Sequence, residues 1–206
     1  MMLVVTNNIN ILYNKKIVTM KKIILSLVII LITSLISYGQ KKTINISKSN
    51  VFWEGHKITG SHEGLMMFKS GHLNFENNKL TGGSFIVDMQ SISCTDLSGN
   101  SKKSFEKHLN SEDFFGTDKH PTSKLLITKV EKRKNKNLFK CSGDITIKNI
   151  TQKIYFDIKI EKNKAFVKTK IDRSKFNIKY KSGSFFDGLG DSLIYDEFDL
   201  KINLFF

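Results

Sequence analysis

The 206-residue chain has the length of one domain plus a short leader, with 33 Lys and Arg against 19 Asp and Glu. Four of the basic residues and none of the acidic ones lie in the first 39, so residues 40–206 keep a net charge of +10. This excess does not describe a nucleic-acid-binding face: only Arg133 and Arg173 are arginines, whereas phosphate and base recognition favours arginine's planar fork.

From Met20 the chain reads MKKIILSLVIILITSLISYGQ. Two lysines precede an uncharged run from Ile23 to Ile36, and Ser37, Tyr38 and Gly39 precede Gln40. The run is short for a membrane span, and the order of its parts is that of a secretory signal peptide over residues 20–39. The expectation is cleavage after Gly39 and a periplasmic or secreted location, with a retained anchor as the alternative. Residues 1–19 stand outside this pattern and are expected to be an overrun of the true start at Met20. No cysteine follows the run, which argues against a lipoprotein anchor.

Beyond Gln40 the apolar period is two. Strands are expected at about 43–48, 50–58, 62–69, 71–77, 122–131 and 164–172. They are clearest where Phe85, Val87 and Met89, then Phe139, Cys141, Ile145 and Ile147, then Ile154, Phe156, Ile158 and Ile160, alternate with polar neighbours. The last, from Ile194, carries Phe198, Leu200, Ile202, Leu204 and Phe206 on one side. Asn77-Asn78, the stretch around 135–137 and Asn163 supply turns. Eight or more one-sided antiparallel strands close into a barrel or stack as a sandwich; lengths near ten residues favour the barrel, which leaves no open edge. The basic run 131–137 is expected at a hairpin tip, with weak attraction to anionic membrane surfaces as a secondary reading.

Between strands, Ser101 is expected to cap a helix over 102–109 that leads into HLNSEDFFGTDKHP, residues 108–121. His108, Asp113 and His120 make this the one stretch with the makings of an enzyme site. Phe105, Leu109, Phe114 and Phe115 instead describe a unit docked on a barrel end, with Asp113 and Asp118 accepting from loop amides and Pro121 opening the next strand. Architecture is the preferred reading. The five histidines show no paired spacing for a common metal, so neither metal nor catalytic residue is expected. Cys94 and Cys141 admit a disulfide without implying one.

HLNSEDFFGTDKHP, followed by SGDITIKNITQKIYFDI and IDRSKFNIKYKSG and preceded by WEGHKITGSHEG and GGSFIVDMQSISCTDL, resembles the YceI-like family of exported lipid-binding proteins. The resemblance spans essentially all of residues 40–206. It departs at Gly116, where the family often has an acid, and at Asn149, where it usually has glycine. It implies an all-β fold: an extended, antiparallel, lipocalin-like barrel of about eight strands, with one short helix in a connection and an internal tunnel for a polyisoprenoid or other long-chain amphiphile. No cofactor is implied beyond such a bound isoprenoid or acyl lipid.

The family supplies no fixed contact set, so tunnel-lining residues are chosen by alternation: Val51, Trp53, Phe85, Val87, Met89, Leu125, Ile127, Phe139, Ile145, Ile147, Phe156, Ile158, Val167, Ile171, Phe198, Leu200 and Ile202. A ligand head group is expected at the mouth, near lysines or the Asp172-Arg173 corner, with a structural salt bridge the equal alternative for Arg173. The expected partner is a long-chain lipid, with no nucleic acid, transient membrane contact and a monomer or homodimer. The competing readings are an enzyme on the His108 loop and a barrel packed solid.

Overall fold

A computed structural model describes residues 16–26, 39–134 and 137–206. The chain divides into a unit before Gln40 and a unit from Gln40 to Phe206. In the first, residues 16–26 are helical, across the expected start at Met20. Among the described residues no helix is long and apolar enough to cross a membrane. Residues 1–15 and most of the uncharged run, 27–38, lie outside the described residues, and with them most of the expected overrun and signal peptide.

The second unit is built from β1 (Gly39–Thr43), β2 (Asn50–Lys57), β3 (Gly60–Glu76), β4 (Lys79–Cys94), α1 (Gly99–Asn110), β5 (Thr122–Lys132), β6 (Leu138–Ile147), β7 (Ile150–Glu161), β8 (Lys164–Asp172) and β9 (Ile194–Phe205). The hydrogen-bonded order β3-β2-β9-β8-β7-β6-β5-β4 returns to β3, closing an eight-stranded antiparallel barrel, and β1 adds to the outside edge of β3. Closure removes the free edges that one-sided strands would otherwise expose. The apolar side of each of the eight barrel strands then turns inward, into a single core.

β3 shows why the alternation broke near Ser70. Gly64, Met66 and Phe68 face inward before it and Gly71, Leu73 and Phe75 after it, because a bulge opposite β4 at Phe68–Ser70 shifts the parity by one. The two expected strands 62–69 and 71–77 are therefore one. β4 carries a larger bulge: Leu65 pairs with Ser93, yet Met67 pairs with Asp88. Ser91 fills it, its hydroxyl accepting from Met67 N–H at 2.8 Å and donating to Asp88 O at 2.6 Å.

The strand expected at 43–48 is a turn. Asn45 Oδ1 accepts from Lys48 N–H at 3.2 Å and from Ser47 Oγ at 2.7 Å, so its side chain offers the backbone a local alternative to a ladder. The helix begins at Gly99, with Ser98 rather than Ser101 at the N-cap. Asn77 and Asn78 form the β3–β4 turn at φ 49° and 60°, and Lys148 and Asn149 the β6–β7 turn at φ 48° and 62°. Asn149 stands at a glycine-favouring position because asparagine tolerates the left-handed region. Arg133, expected in a solvated tip, grips Asp157 with Nη2 at 3.0 and 3.2 Å from its two oxygens.

The connections alternate between two ends. The connections from β3 to β4, β5 to β6 and β7 to β8 share one end, where Leu73, Phe75, Leu80, Cys141 and Ala165 are buried. The turn at 58–59, α1 with its loop, the turn at 148–149 and the long connection 173–193 share the other.

Candidate ligand tunnel

The barrel core is hollow along part of its length. A first chamber has a void of about 100 Å³, lined almost wholly by carbon. Fifteen of the residues chosen by alternation line it: Val51, Phe85, Val87, Met89, Leu125, Ile127, Ile145, Ile147, Phe156, Ile158, Val167, Ile171, Phe198, Leu200 and Ile202. Ile154 and Leu204 join them from the same alternation; Met66 and Phe68 were hidden in the unbroken apolar run Met66-Met67-Phe68, and Ser123, Lys124 and Thr169 by being polar. Phe139 does not line this chamber. It is buried one residue into β6, opposite Ile158 and Lys132, at the hairpin end where the core is filled.

A second chamber, with a void of about 90 Å³, occupies the helical end. Its walls are Trp53, Gly55, Ile92, Phe105, His108, Leu109, Phe114 and Arg173, among others, and it shares Met66, Phe115 and Phe198 with the first chamber. Trp53 thus belongs to this chamber and not to the first. Gly64 positions it: a Cβ there would fall 2.6 Å from Trp53 Cζ2 and 1.8 Å from Ser93 O, so any side chain would displace the indole. Gly55 continues the inward series after Val51 and Trp53, and a Cβ there meets nothing within 4 Å. A missing side chain at an inward position leaves open volume.

The second chamber reaches the surface where β2 and β9 part. Gly55 pairs with Phe198, but Lys57 pairs with Ile194, so β9 carries extra residues across the gap. Gly55, His56, Lys57, Ile194, Tyr195 and Phe198 around that gap all line the chamber. His56 is fixed beside it by a 2.9 Å contact between Nε2 and Asp199 Oδ2. Inside, Trp53 Nε1 and His108 Nε2 are buried without a hydrogen-bond partner among the described residues. An unsatisfied buried donor costs about 1–3 kcal/mol, so both atoms present a demand for a polar group.

The HLNSEDFFGTDKHP segment is the lid of this end. Ser111 Oγ donates to His108 O at 2.7 Å, Phe115 N–H to Leu109 O at 3.1 Å and Gly116 N–H to Ser111 O at 2.8 Å. Gly116 sits at φ 56°, the left-handed region, which accounts for glycine there. Thr117 Oγ1 donates to Asn110 Oδ1 at 2.7 Å. Among the described residues Asp113 and Asp118 accept no hydrogen bond; backbone carbonyls and Asn110 take the role expected of them. Lys148 clamps the loop from the β6–β7 turn, its Nζ donating to Phe114 O at 2.8 Å and Glu112 O at 3.2 Å. The result is that Phe115 lies at the junction of the two chambers.

His108, Asp113 and His120 are not linked by any hydrogen bond among the described residues. His108 packs on Tyr180 with ring centroids 4.2 Å apart, His120 Nδ1 is buried without a hydrogen-bond partner among the described residues, and Asp113 borders a separate surface hollow with Lys179 and Phe186.

Arg173 is not free to meet a head group. Its side chain is 2 % exposed. Nε donates to Tyr195 O at 3.2 Å, Nη1 to Ile178 O and Tyr180 O at 3.0 and 2.8 Å, and Nη2 to Ile194 O at 2.9 Å. Nη2 also faces Asp196 Oδ1 at 3.4 Å. Burial lowers its pKa, against the opposing pull of Asp196 and Asp172. Its fork is spent on holding the 173–195 connection to the barrel. Cys94 and Cys141 are both buried free thiols, not a disulfide, and burial pushes Cys141 up to about 12.

Residues 43–206 match the family model of the YceI-like domain. No curated protein matches the chain. BcnA from Burkholderia cenocepacia is similar in structure at a TM-score of 0.61 and 21% identity, over 78% of this chain and 98% of that one. A polyisoprenoid-binding domain from Saccharophagus degradans is similar at 0.53 and 9% identity, over 79% and 95%. These two likenesses establish a shared barrel fold, and the family match over most of its length makes this chain a member of the YceI-like family.

Proposed function

We propose that the protein is an exported carrier that sequesters a polyisoprenoid or other long-chain amphiphile in the two-chamber tunnel. The observation that carries this reading is the pair of adjoining apolar voids meeting at Met66, Phe115 and Phe198. A water-sized group needs roughly 10–15 Å³ of such void, so the chambers together take more than about a dozen methylene-sized groups. Burying a dozen methylenes gives about 10 kcal/mol gross at about 0.8 kcal/mol each, before the ordering losses of ligand and side chains. That suffices for micromolar binding without a charged contact. The reading that the polar end of the ligand lies in the second chamber, below the gap between β2 and β9, is supported by Trp53 Nε1 and His108 Nε2, which have no hydrogen-bond partner among the described residues.

Binding rather than turnover is the reading supported by the isolated polar groups inside and by a His108 loop committed to holding the lid. Solvent extraction of purified protein followed by mass spectrometry tests the reading. A co-purifying isoprenoid or acyl chain is the expected result; protein that emerges empty and also refuses added long-chain amphiphiles contradicts it. Export is tested on protein recovered from outside the cytoplasm. Gln40 is expected at its N-terminus, and a peptide from expressed chain that includes Val4 or Val5 overturns the start at Met20.

A further inference from the structure

Near the helical end of the barrel, three side chains converge, of which only His62 also lines the second chamber. His62 stands near the start of β3, Cys94 ends β4 across the ladder from Gly64, and Asp96 follows two residues later. Asp96 Oδ2 lies 2.7 Å from His62 Nδ1, and Cys94 Sγ lies 3.0 Å from Asp96 Oδ1. Ligand atoms of all three are within 4.8 Å of one another. We infer that His62, Cys94 and Asp96 form a zinc-binding site.

The donor set carries the choice of metal. One imidazole nitrogen, one thiolate and one carboxylate suit a borderline-soft ion that accepts four ligands, and three protein ligands leave the fourth position to water. Calcium and magnesium, which take oxygen ligands, are poorly served by a thiol. Zinc lies about 2.3 Å from sulfur and about 2.0–2.2 Å from nitrogen or oxygen, which sets tetrahedral donors roughly 3.3–3.6 Å apart. The contacts to Asp96 therefore open by less than about 1 Å to admit the ion. His62 and Asp96 are 25% and 28% exposed, so the ion reaches them from solvent while Cys94 waits behind.

Outer partners already orient the ligands. Glu63 N–H donates to Asp96 Oδ1 at 3.0 Å, and Cys94 N–H donates to Glu106 Oε1 at 2.8 Å. The His62 ring packs on Phe105 at a centroid distance of 4.6 Å. Such contacts fix ligand direction before metal arrives. Without the ion, the thiol S–H and the imidazole N–H donate to Asp96. On binding, zinc takes the sulfur lone pair, the thiol proton leaves to solvent, and the imidazole proton moves from Nδ1 to Nε2; no electron is transferred.

The test uses the full chain without an affinity tag, stripped with chelator and titrated with cobalt(II), then zinc. One equivalent of cobalt is expected to bind with a thiolate-to-cobalt band in the near ultraviolet, and one equivalent of zinc to displace it. Cys94→Ser is expected to lose the band. His62→Gln and Asp96→Asn, at half-exposed side chains, are expected to weaken zinc at least about tenfold with unchanged circular dichroism, since even outer partners cost that much. They carry the test if Cys94→Ser fails to fold. Cys141→Ser, in the barrel wall, is expected to change nothing. Absence of the band, its loss in Cys141→Ser instead of Cys94→Ser, or unweakened zinc binding by His62→Gln and Asp96→Asn overturns the site. Cys94 and Asp96 line neither chamber, so their variants are expected to keep tunnel-ligand binding and separate a failed metal site from a failed lipid site, whereas His62 also lines the second chamber.

Discussion

Arg173 and Asp196 show how much one buried charge organises. The guanidinium satisfies four carbonyls of the 178–195 connection, so Arg173→Met orphans all four and is expected to cost about 3–5 kcal/mol in urea denaturation, with Arg173→Lys recovering part because an ammonium cannot span the fork. Partial burial pushes the Asp196 carboxyl up, but hydrogen bonds from Ser182 and Ser184 and the charge of Arg173 outweigh it and hold the pKa below the usual carboxylate value. A carboxyl depressed on folding adds stability that is complete above its unfolded pKa and is lost as pH falls through the folded one. Asp196→Asn is therefore expected to flatten the acid limb of the stability curve, measured as denaturation midpoints from neutral to acid pH. Gly55 acts by absence. Its backbone needs no glycine, so Gly55→Leu is expected to keep the melting temperature within a few degrees while lowering long-chain ligand binding at least about tenfold, because the new side chain occupies the second chamber. Trp53→Phe removes the indole N–H together with part of the bicyclic ring, and is expected to weaken a ligand with a polar end by about 0.5–1.5 kcal/mol more than a plain hydrocarbon of the same length.

At the scale of elements, the helix and its loop decide how the two chambers communicate. Lys148 holds the loop by two carbonyls, and Lys148→Met is expected to speed amide exchange over residues 111–120 with a stability loss of about 1.5–3 kcal/mol, read by hydrogen-exchange mass spectrometry and denaturation. The architectural role of this segment was legible because its phenylalanines outnumber what a solvated loop carries. Which groups accept its hydrogen bonds was not: Asp113 and Asp118 were plausible acceptors by type, and only the fold shows carbonyls in their place. β3 teaches the same lesson, since its Ser70 bulge looked like a strand boundary in a one-dimensional pattern. Arg173 read equally as part of a head-group corner and as a structural ion-pair partner, because two of its carbonyl partners, Ile178 and Tyr180, belong to a connection with no period of its own.

For the whole molecule, alternation located the inward faces and hence the first chamber, because period two survives wherever a strand has one dry side. It could not find the second chamber. That space exists through a glycine at 55, a widened β9 opposite it and a helix that roofs it, none of which has a period. Phe139 marks the converse limit: an inward residue lines a tunnel only if the tunnel extends to its level. The account's central claim is that burial of a chain in these joined voids is the function, and affinity against chain length tests it most directly. Calorimetry with a series of amphiphiles sharing one head group is predicted to show about fourfold tighter binding per added methylene until somewhat more than about a dozen carbons are buried, then a plateau. Affinity that does not change with chain length would contradict it.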